Sequence, residues 1–216
     1  LRTVSQHKHL GLTFSSDLKW SRHIDNILAK ASRLLGILRR LRPVLSKAAL
    51  STFYQAYIRP LLEYADVAWG NLPTSQANRL ERFQRRAGKV ILGLSLFTHT
   101  SHTQLLKSLH WSTLSSRRTY HQAVLAYRIH AKTVPPHLLH TAFPPRTLSY
   151  HLRHQSTFST PIANTKLFQN SPLFSCSTVF NALPESTRSC SKLSSFKTRA
   201  STLLTSTCSC SACVLH

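Results

Sequence analysis

Carboxylates are nearly missing from this sequence. Asp17, Asp25, Glu63, Asp66, Glu81 and Glu185 are the complete set in 216 residues, and no two are adjacent. Template-directed polymerisation and most nuclease chemistry hold two divalent cations about 4 Å apart with clustered carboxylates, so that chemistry is not expected of this chain. Glycine is just as scarce. Gly11, Gly36, Gly70, Gly88 and Gly93 stand alone, with no G-x-x-x-x-G-K or G-x-G-x-x-G phosphate loop. Methionine is absent and the chain starts at Leu1, which leads us to expect a fragment of a longer protein. No run approaches the roughly 18 apolar residues of a membrane span, and the first residues lack the basic, apolar, small order of a signal peptide. Cys176, Cys190, Cys208, Cys210 and Cys213 all fall in the last fifth of the chain. An odd count at one end makes a poor disulfide framework and favours a reducing, intracellular setting, nuclear or cytoplasmic.

What the chain has in excess is positive charge. Lys and Arg number 28 against those six acids, a formal net charge of +22. Such a chain repels itself unless a polyanion is near, and nucleic acid is the usual one. An anionic membrane surface is the second choice, and a degenerate reading frame is the bland one. At 42% hydrophobic residues there is enough apolar material for a core, so wholesale disorder is not expected.

The periodicity predicts a mainly α protein: a bundle of amphipathic helices with an extended connector and small C-terminal helices. The clearest helix runs from about Ser21 to Leu41. Trp20, Ile24, Ile27, Leu28, Ala31, Leu34, Leu35, Leu38 and Leu41 fill one arc at helical spacing. Arg22, Lys30, Arg33 and Arg40 lie on or near one line opposite. Ser21 is the expected cap, Asp25 suits the first turns, and Pro43 closes the segment. A second helix is expected after a Ser46 cap, reaching about Trp69. Its apolar side would carry Leu50, Phe53, Tyr57, Leu61, Tyr64, Ala65 and Ala68, with a kink or break at Pro60. A third, from about Gln76 to Leu92, sets Arg79, Arg82, Arg85, Arg86 and Lys89 beside an apolar arc of Leu80, Phe83, Ala87, Val90 and Ile91. Glu81 and Arg85 form a well-oriented i,i+4 pair on it.

A short helix over Thr103 to Leu109 and a longer one after a Ser112 cap, to about Lys132, follow. The Val134-Pro135-Pro136 and Phe143-Pro144-Pro145 runs end that region. The expected organisation is therefore residues 1–20 as a leading segment, 21–132 as a helical domain and 133–174 as an extended connector, with Thr157 to Pro161 a candidate strand. Residues 175–205 form a small helical segment, with helices near Ser175 to Leu183 and Lys192 to Leu204. The Ser/Thr/Cys-rich residues 206–216 form a disordered tail.

No catalytic residue, cofactor, metal site or small-molecule substrate is assigned from these patterns. The histidines and serines form no local motif such as G-x-S-x-G and read as structural or surface groups. Cys208, Cys210, Cys213 and His216 are zinc-ligand types, but the C-x-C start is tighter than the usual gap, and no flanking apolar residues would build a finger. They read as a Cys-rich tail.

Taken together, these residues resemble the C-terminal region of reverse transcriptases from non-LTR retrotransposons (LINE elements) of the jockey-like and chicken-repeat-like kind. His9-Leu10-Gly11-Leu12, Leu18-x-Trp20 and His23-Ile24 resemble the stretch after the polymerase palm. Leu34 to Leu41, and Tyr57 to Ala65 with Trp69, resemble the next two blocks. Leu80-Glu81-Arg82-Phe83-Gln84-Arg85-Arg86-Ala87 is similar to "LE-x-x-QRRA". Leu106 to Trp111, with Leu114 and Arg117-Arg118, resembles "L-x-x-L-x-W-x-x-L-x-x-RR". Phe180-Asn181-Ala182-Leu183-Pro184 and Ser195-Phe196-Lys197 resemble "WNALP…SFK", with Phe180 in place of the usual Trp. Six blocks in order over most of the chain form a more specific signal than any one of them. Tyr64-Ala65-Asp66-Val67 imitates the catalytic "YADD" box, but its second Asp is Val67, and it reads as a decoy.

The resemblance implies that the palm and its catalytic aspartates lie outside this chain. It implies that His9, Leu10, Gly11 and Leu12 are primer-grip-like, and that the helices after them are a thumb holding template RNA and the RNA–DNA product. The basic faces expected to meet phosphates are Arg22, Arg33 and Arg40, then Arg79, Arg82, Arg85, Arg86 and Lys89, then Arg117 and Arg118. The expected function is a non-catalytic fragment of an RNA-directed DNA polymerase that binds RNA or an RNA–DNA duplex without sequence preference. A domesticated helical scaffold, or a partial sequence of a full reverse transcriptase, are the alternatives.

Overall fold

The computed structural model describes residues 4–95, 97, 99–135, 158–160 and 162–205. These are mainly α, with one two-stranded sheet among them. They divide into two compact units. The first holds residues up to Asp66 together with Leu72–Ser115, and the second holds Val67–Asn71 and the residues from Ser116 on.

The first unit opens with a hairpin that periodicity did not announce. Strands β1 (Gln6–His9) and β2 (Leu12–Ser15) pair antiparallel, Gln6 facing Ser15 and His9 facing Leu12. Leu10 and Gly11 between them both take positive φ, 45° and 84°, a two-residue turn that matches the strands' right-handed twist. The Tyr64 hydroxyl donates to the Leu10 carbonyl at 3.0 Å. A Cβ at Gly11 would lie 3.1 Å from the same ring.

Helix α1 (Ser21–Leu41) buries Ile24, Ile27, Ala31, Leu35 and Leu38, with Arg22, Lys30, Arg33 and Arg40 exposed. Its cap differs from expectation. The helix spans the expected residues, but Trp20 holds the N-cap position, so Ser21 is already helical and its hydroxyl accepts from Gln76 Nε2 at 3.3 Å.

The second expected helix is broken into pieces, for a reason that lies in Pro60. After α2 (Lys47–Phe53), capped by Ser46 as expected, residues Tyr54–Ile58 form a π turn in which the Arg59 N–H reaches back five residues to the Tyr54 carbonyl. The wider turn lets α3 (Arg59–Glu63) start with Pro60 in its first turn, where the missing N–H costs nothing. It also re-phases the helix. Tyr54, Ile58 and Leu62 face the core after Leu50, while Tyr57, at 60% exposure, and Tyr64 turn outward, against expectation. Ala65, at φ 51°, then ends α3 before α4 (Asp66–Trp69).

Helices α5 (Thr74–Leu92) and α6 (His102–Leu109) complete the unit. Helix α5 packs on α1, α2 and α6. It buries the expected Leu80, Phe83, Ala87, Val90 and Ile91, and also Gln84 and Gly88. A Cβ at Gly88 would collide with Leu105 and come within 3.0 Å of Leu109 Cδ1, so the absent side chain sets how near α6 can lie. Beyond α6, Trp111 stacks on the buried Tyr54 ring at 4.0 Å between centroids and donates from Nε1 to Ser51 Oγ.

Helix α7 (Leu114–His130) leads into the second unit. The core there gathers Ala123, Ala126, Tyr127 and Ile129 with Phe158, Cys176, Phe180, Leu183, Phe196 and Ala200. Tyr127 and Phe196 stack at 4.3 Å. Cys176 is fully buried, which pushes its thiol up to about 12. Within the span expected to be an extended connector, α8 (Lys166–Gln169) and the start of α9 (Pro172–Asn181) are helical, under Thr165 and Ser171 caps. Short α10 (Glu185–Arg188) and then α11 (Leu193–Thr205) end the described chain. Asn181 acts as a surrogate strand partner for the buried Phe158, accepting from its N–H at 3.1 Å and donating to its carbonyl at 2.9 Å. The expected strand ends Thr157 and Pro161, most of the connector, and the tail with Cys208, Cys210, Cys213 and His216 lie outside the described residues.

Candidate nucleic-acid interface

Positions i, i+3, i+4 and i+7 of a helix share one face, and in α5 those positions are Arg82, Arg85, Arg86 and Lys89. The three arginines are exposed, while Lys89, at 9%, sits deeper. The four line a concavity of about 490 Å³ whose other wall is Phe97, His99 and Thr100, from the segment between α5 and α6.

That wall is brought back over the helix by the way α5 ends. Gly93 takes the left-handed conformation at φ 74°, its N–H bonding the Val90 carbonyl while the Leu94 N–H reaches the Lys89 carbonyl. This is a Schellman turn, for which glycine has no Cβ penalty. The Arg42 guanidinium adds a 3.4 Å bond to the Gly93 carbonyl. The Ser95 hydroxyl then accepts the Phe97 N–H at 3.2 Å, and the Phe97 ring is 92% exposed.

Behind the stripe, Glu81 and His102 form a half-buried polar layer. Glu81 Oε1 accepts the Ser115 N–H at 2.8 Å, placing an anion at the start of α7 where the helix dipole favours one. Its Oε2 lies 3.9 Å from His102 Nε2. Burial, helped by the Arg85 charge, holds the His102 imidazole below its ordinary pKa, so the neutral form is favoured.

No protein-family model, curated protein or solved structure matches the chain.

The other expected contacts divide sharply. Arg22, Arg33 and Arg40 are exposed on α1 but do not line the concavity. Arg79 is taken by the fold, its Nη2 lying 2.6 Å from Asp25 Oδ1 and its Nη1 2.8 Å from Gln76 Oε1. Arg117 is half-buried, and Arg118 is buried at 3% exposure. Arg118 is thus buried where the sequence pattern had placed it on a basic face. His9, Leu10, Gly11 and Leu12 form the hairpin tip described above. Asp66 lies in the first turn of α4 at 3% exposure, in a helical setting rather than a strand hairpin. Among the described residues no three His, Cys, Asp or Glu side chains converge on a metal position, and no helix is long and apolar enough to cross a membrane.

Phe97, His99 and Thr100 were missed in the sequence. They carry no periodicity, and only the Gly93 turn brings them opposite the arginines. An isolated glycine closing a basic helix, with an aromatic four residues on, was the available signal.

Proposed function

We propose that the chain is a non-catalytic, post-palm piece of a retrotransposon RNA-directed DNA polymerase, working in the nucleus or cytoplasm, that holds template RNA or an RNA–DNA duplex through the basic face of α5. One observation carries this reading: Arg82, Arg85, Arg86 and Lys89 lie together on a concave surface in a chain of net charge +22. Four cations within about two helical turns repel one another, and a phosphate backbone relieves that repulsion while releasing counterions. The reading also draws on the ordered resemblance blocks, in which His9 to Leu12 are the primer-grip-like segment. Recognition would be sequence-tolerant, since phosphate contacts position a nucleic acid without reading its bases.

The test is the salt dependence of binding to an RNA–DNA hybrid. If three phosphate contacts are lost in Arg82→Gln/Arg85→Gln/Arg86→Gln, the log–log slope should flatten by roughly 2 to 2.7, with circular dichroism unchanged. An unaltered slope would take α5 out of the interface.

A helical scaffold is the second reading, favoured by the burial of Arg118 and by the pairing of Arg79 with Asp25. It predicts a salt slope that the triple substitution leaves unaltered, and the same experiment separates the two.

A further inference from the structure

We infer that the concavity beside α5 seats an unpaired nucleotide, with its phosphate against the Arg82, Arg85, Arg86 and Lys89 stripe and its base stacked on Phe97. The inference rests on the nucleic-acid reading above and narrows it from backbone holding to recognition of a single-stranded segment.

The ring is the deciding feature. Phe97 is 92% exposed, so it adds nothing to the core, while its backbone N–H bonds the Ser95 hydroxyl. A large apolar face held in water beside four cations is a poor arrangement for stability alone. It is the combination used to bind single strands, a charged track for the backbone and an aromatic platform for a base. In a continuous duplex both faces of each base are already stacked, so the ring has nothing to receive. The dimensions agree. About 490 Å³ lies within the roughly 300–1,000 Å³ of pockets that take small organic groups. Seven residues of helix rise about 10 Å, so the stripe from Arg82 to Lys89 can follow a backbone past one phosphate. His99, on the same wall, offers a second ring edge and a hydrogen-bonding group to the base. A polymer of acidic residues alone would satisfy the cations but leave Phe97 in water.

The full chain is titrated with a labelled oligouridine single strand and with a blunt RNA–DNA hybrid, using wild type, Phe97→Ala, Phe97→Trp and the triple Arg→Gln variant. Phe97→Ala should weaken the single strand roughly 5- to 150-fold, the range of one lost stacking contact, and leave the hybrid unchanged. Phe97→Trp should restore single-strand affinity and quench the added indole on binding. If Phe97→Ala binds the single strand as wild type does while the triple variant is impaired, the base seat is wrong and the phosphate surface stands. If Phe97→Ala weakens both ligands equally, or polyglutamate displaces the oligouridine at equal charge concentration, the nucleotide assignment is overturned. If wild type binds neither nucleic acid, the proposed function fails and the seat fails with it.

Discussion

The Arg79 guanidinium lies 2.6 Å from the Asp25 carboxylate and ties α5 to α1 across 54 residues of sequence. Gln76 joins the same link, its carbonyl oxygen accepting from Arg79 and its amide donating to Ser21. Arg79 therefore belongs to the fold, although it stands in line with the arginines of the basic face.

Arg79→Gln and Asp25→Asn should each lower stability by no more than about 1 kcal/mol, because both side chains are more than a third exposed and solvent screens such pairs. Neither should change the salt slope of nucleic-acid binding by as much as Arg82→Gln does. Urea denaturation and a double-mutant cycle measure the coupling. A slope loss for Arg79→Gln equal to that for Arg82→Gln would return Arg79 to the interface.

Two helix-interior glycines should respond in opposite directions to the same substitution. Nothing lies within 4 Å of a Cβ built at Gly36, so Gly36→Ala should stabilise by about 0.5–1 kcal/mol through helix propensity. At Gly88 the new methyl meets Leu105 and Leu109. Gly88→Ala should then cost about 1 kcal/mol or more, as over-packing outweighs the propensity gain. Urea midpoints compared at equal slope decide it, and a stabilised Gly88→Ala would mean that α6 yields freely.

Acid should destabilise the first unit before carboxylates titrate. His23 is buried and its Nδ1 accepts the Thr13 N–H at 3.3 Å, which requires an unprotonated nitrogen. Burial, with Lys30 adding to it, lowers the His23 pKa from 6.5, and burial with Arg85 lowers that of His102. For a group whose folded pKa is depressed, the unfolded chain binds more protons between the two values. The contribution is thus fully present above pH 6.5 and is lost as pH falls toward the folded pKa. His23→Gln should flatten the decline in urea stability from neutral pH downward; an equally steep decline would assign it to other groups.

The long uninterrupted helices were legible, and the irregular places were not. Helices α1 and α5 announce themselves because many apolar residues at helical spacing leave one phase that buries them all. Between Lys47 and Trp69 the same method chose Tyr57 and Tyr64 for the core. It had no means of seeing that a π turn before Pro60 would add a residue and rotate the face. The hairpin escaped because four-residue strands give too little alternation, and because its turn uses Leu10 beside Gly11. In the candidate site, spacing found Arg82, Arg85, Arg86 and Lys89. It also admitted Arg79 and Arg118, whose partners or burial depend on tertiary structure.

Cys176 gives the second unit a built-in clock. Its thiol is fully buried and held up near 12, so an alkylating reagent reaches it only when the packing around Phe180 and Phe196 opens. Cys190, half-buried on the same unit, reacts without that wait. The lag between the two modifications, followed by mass spectrometry, would time the opening of that unit directly in the folded chain, with no denaturant.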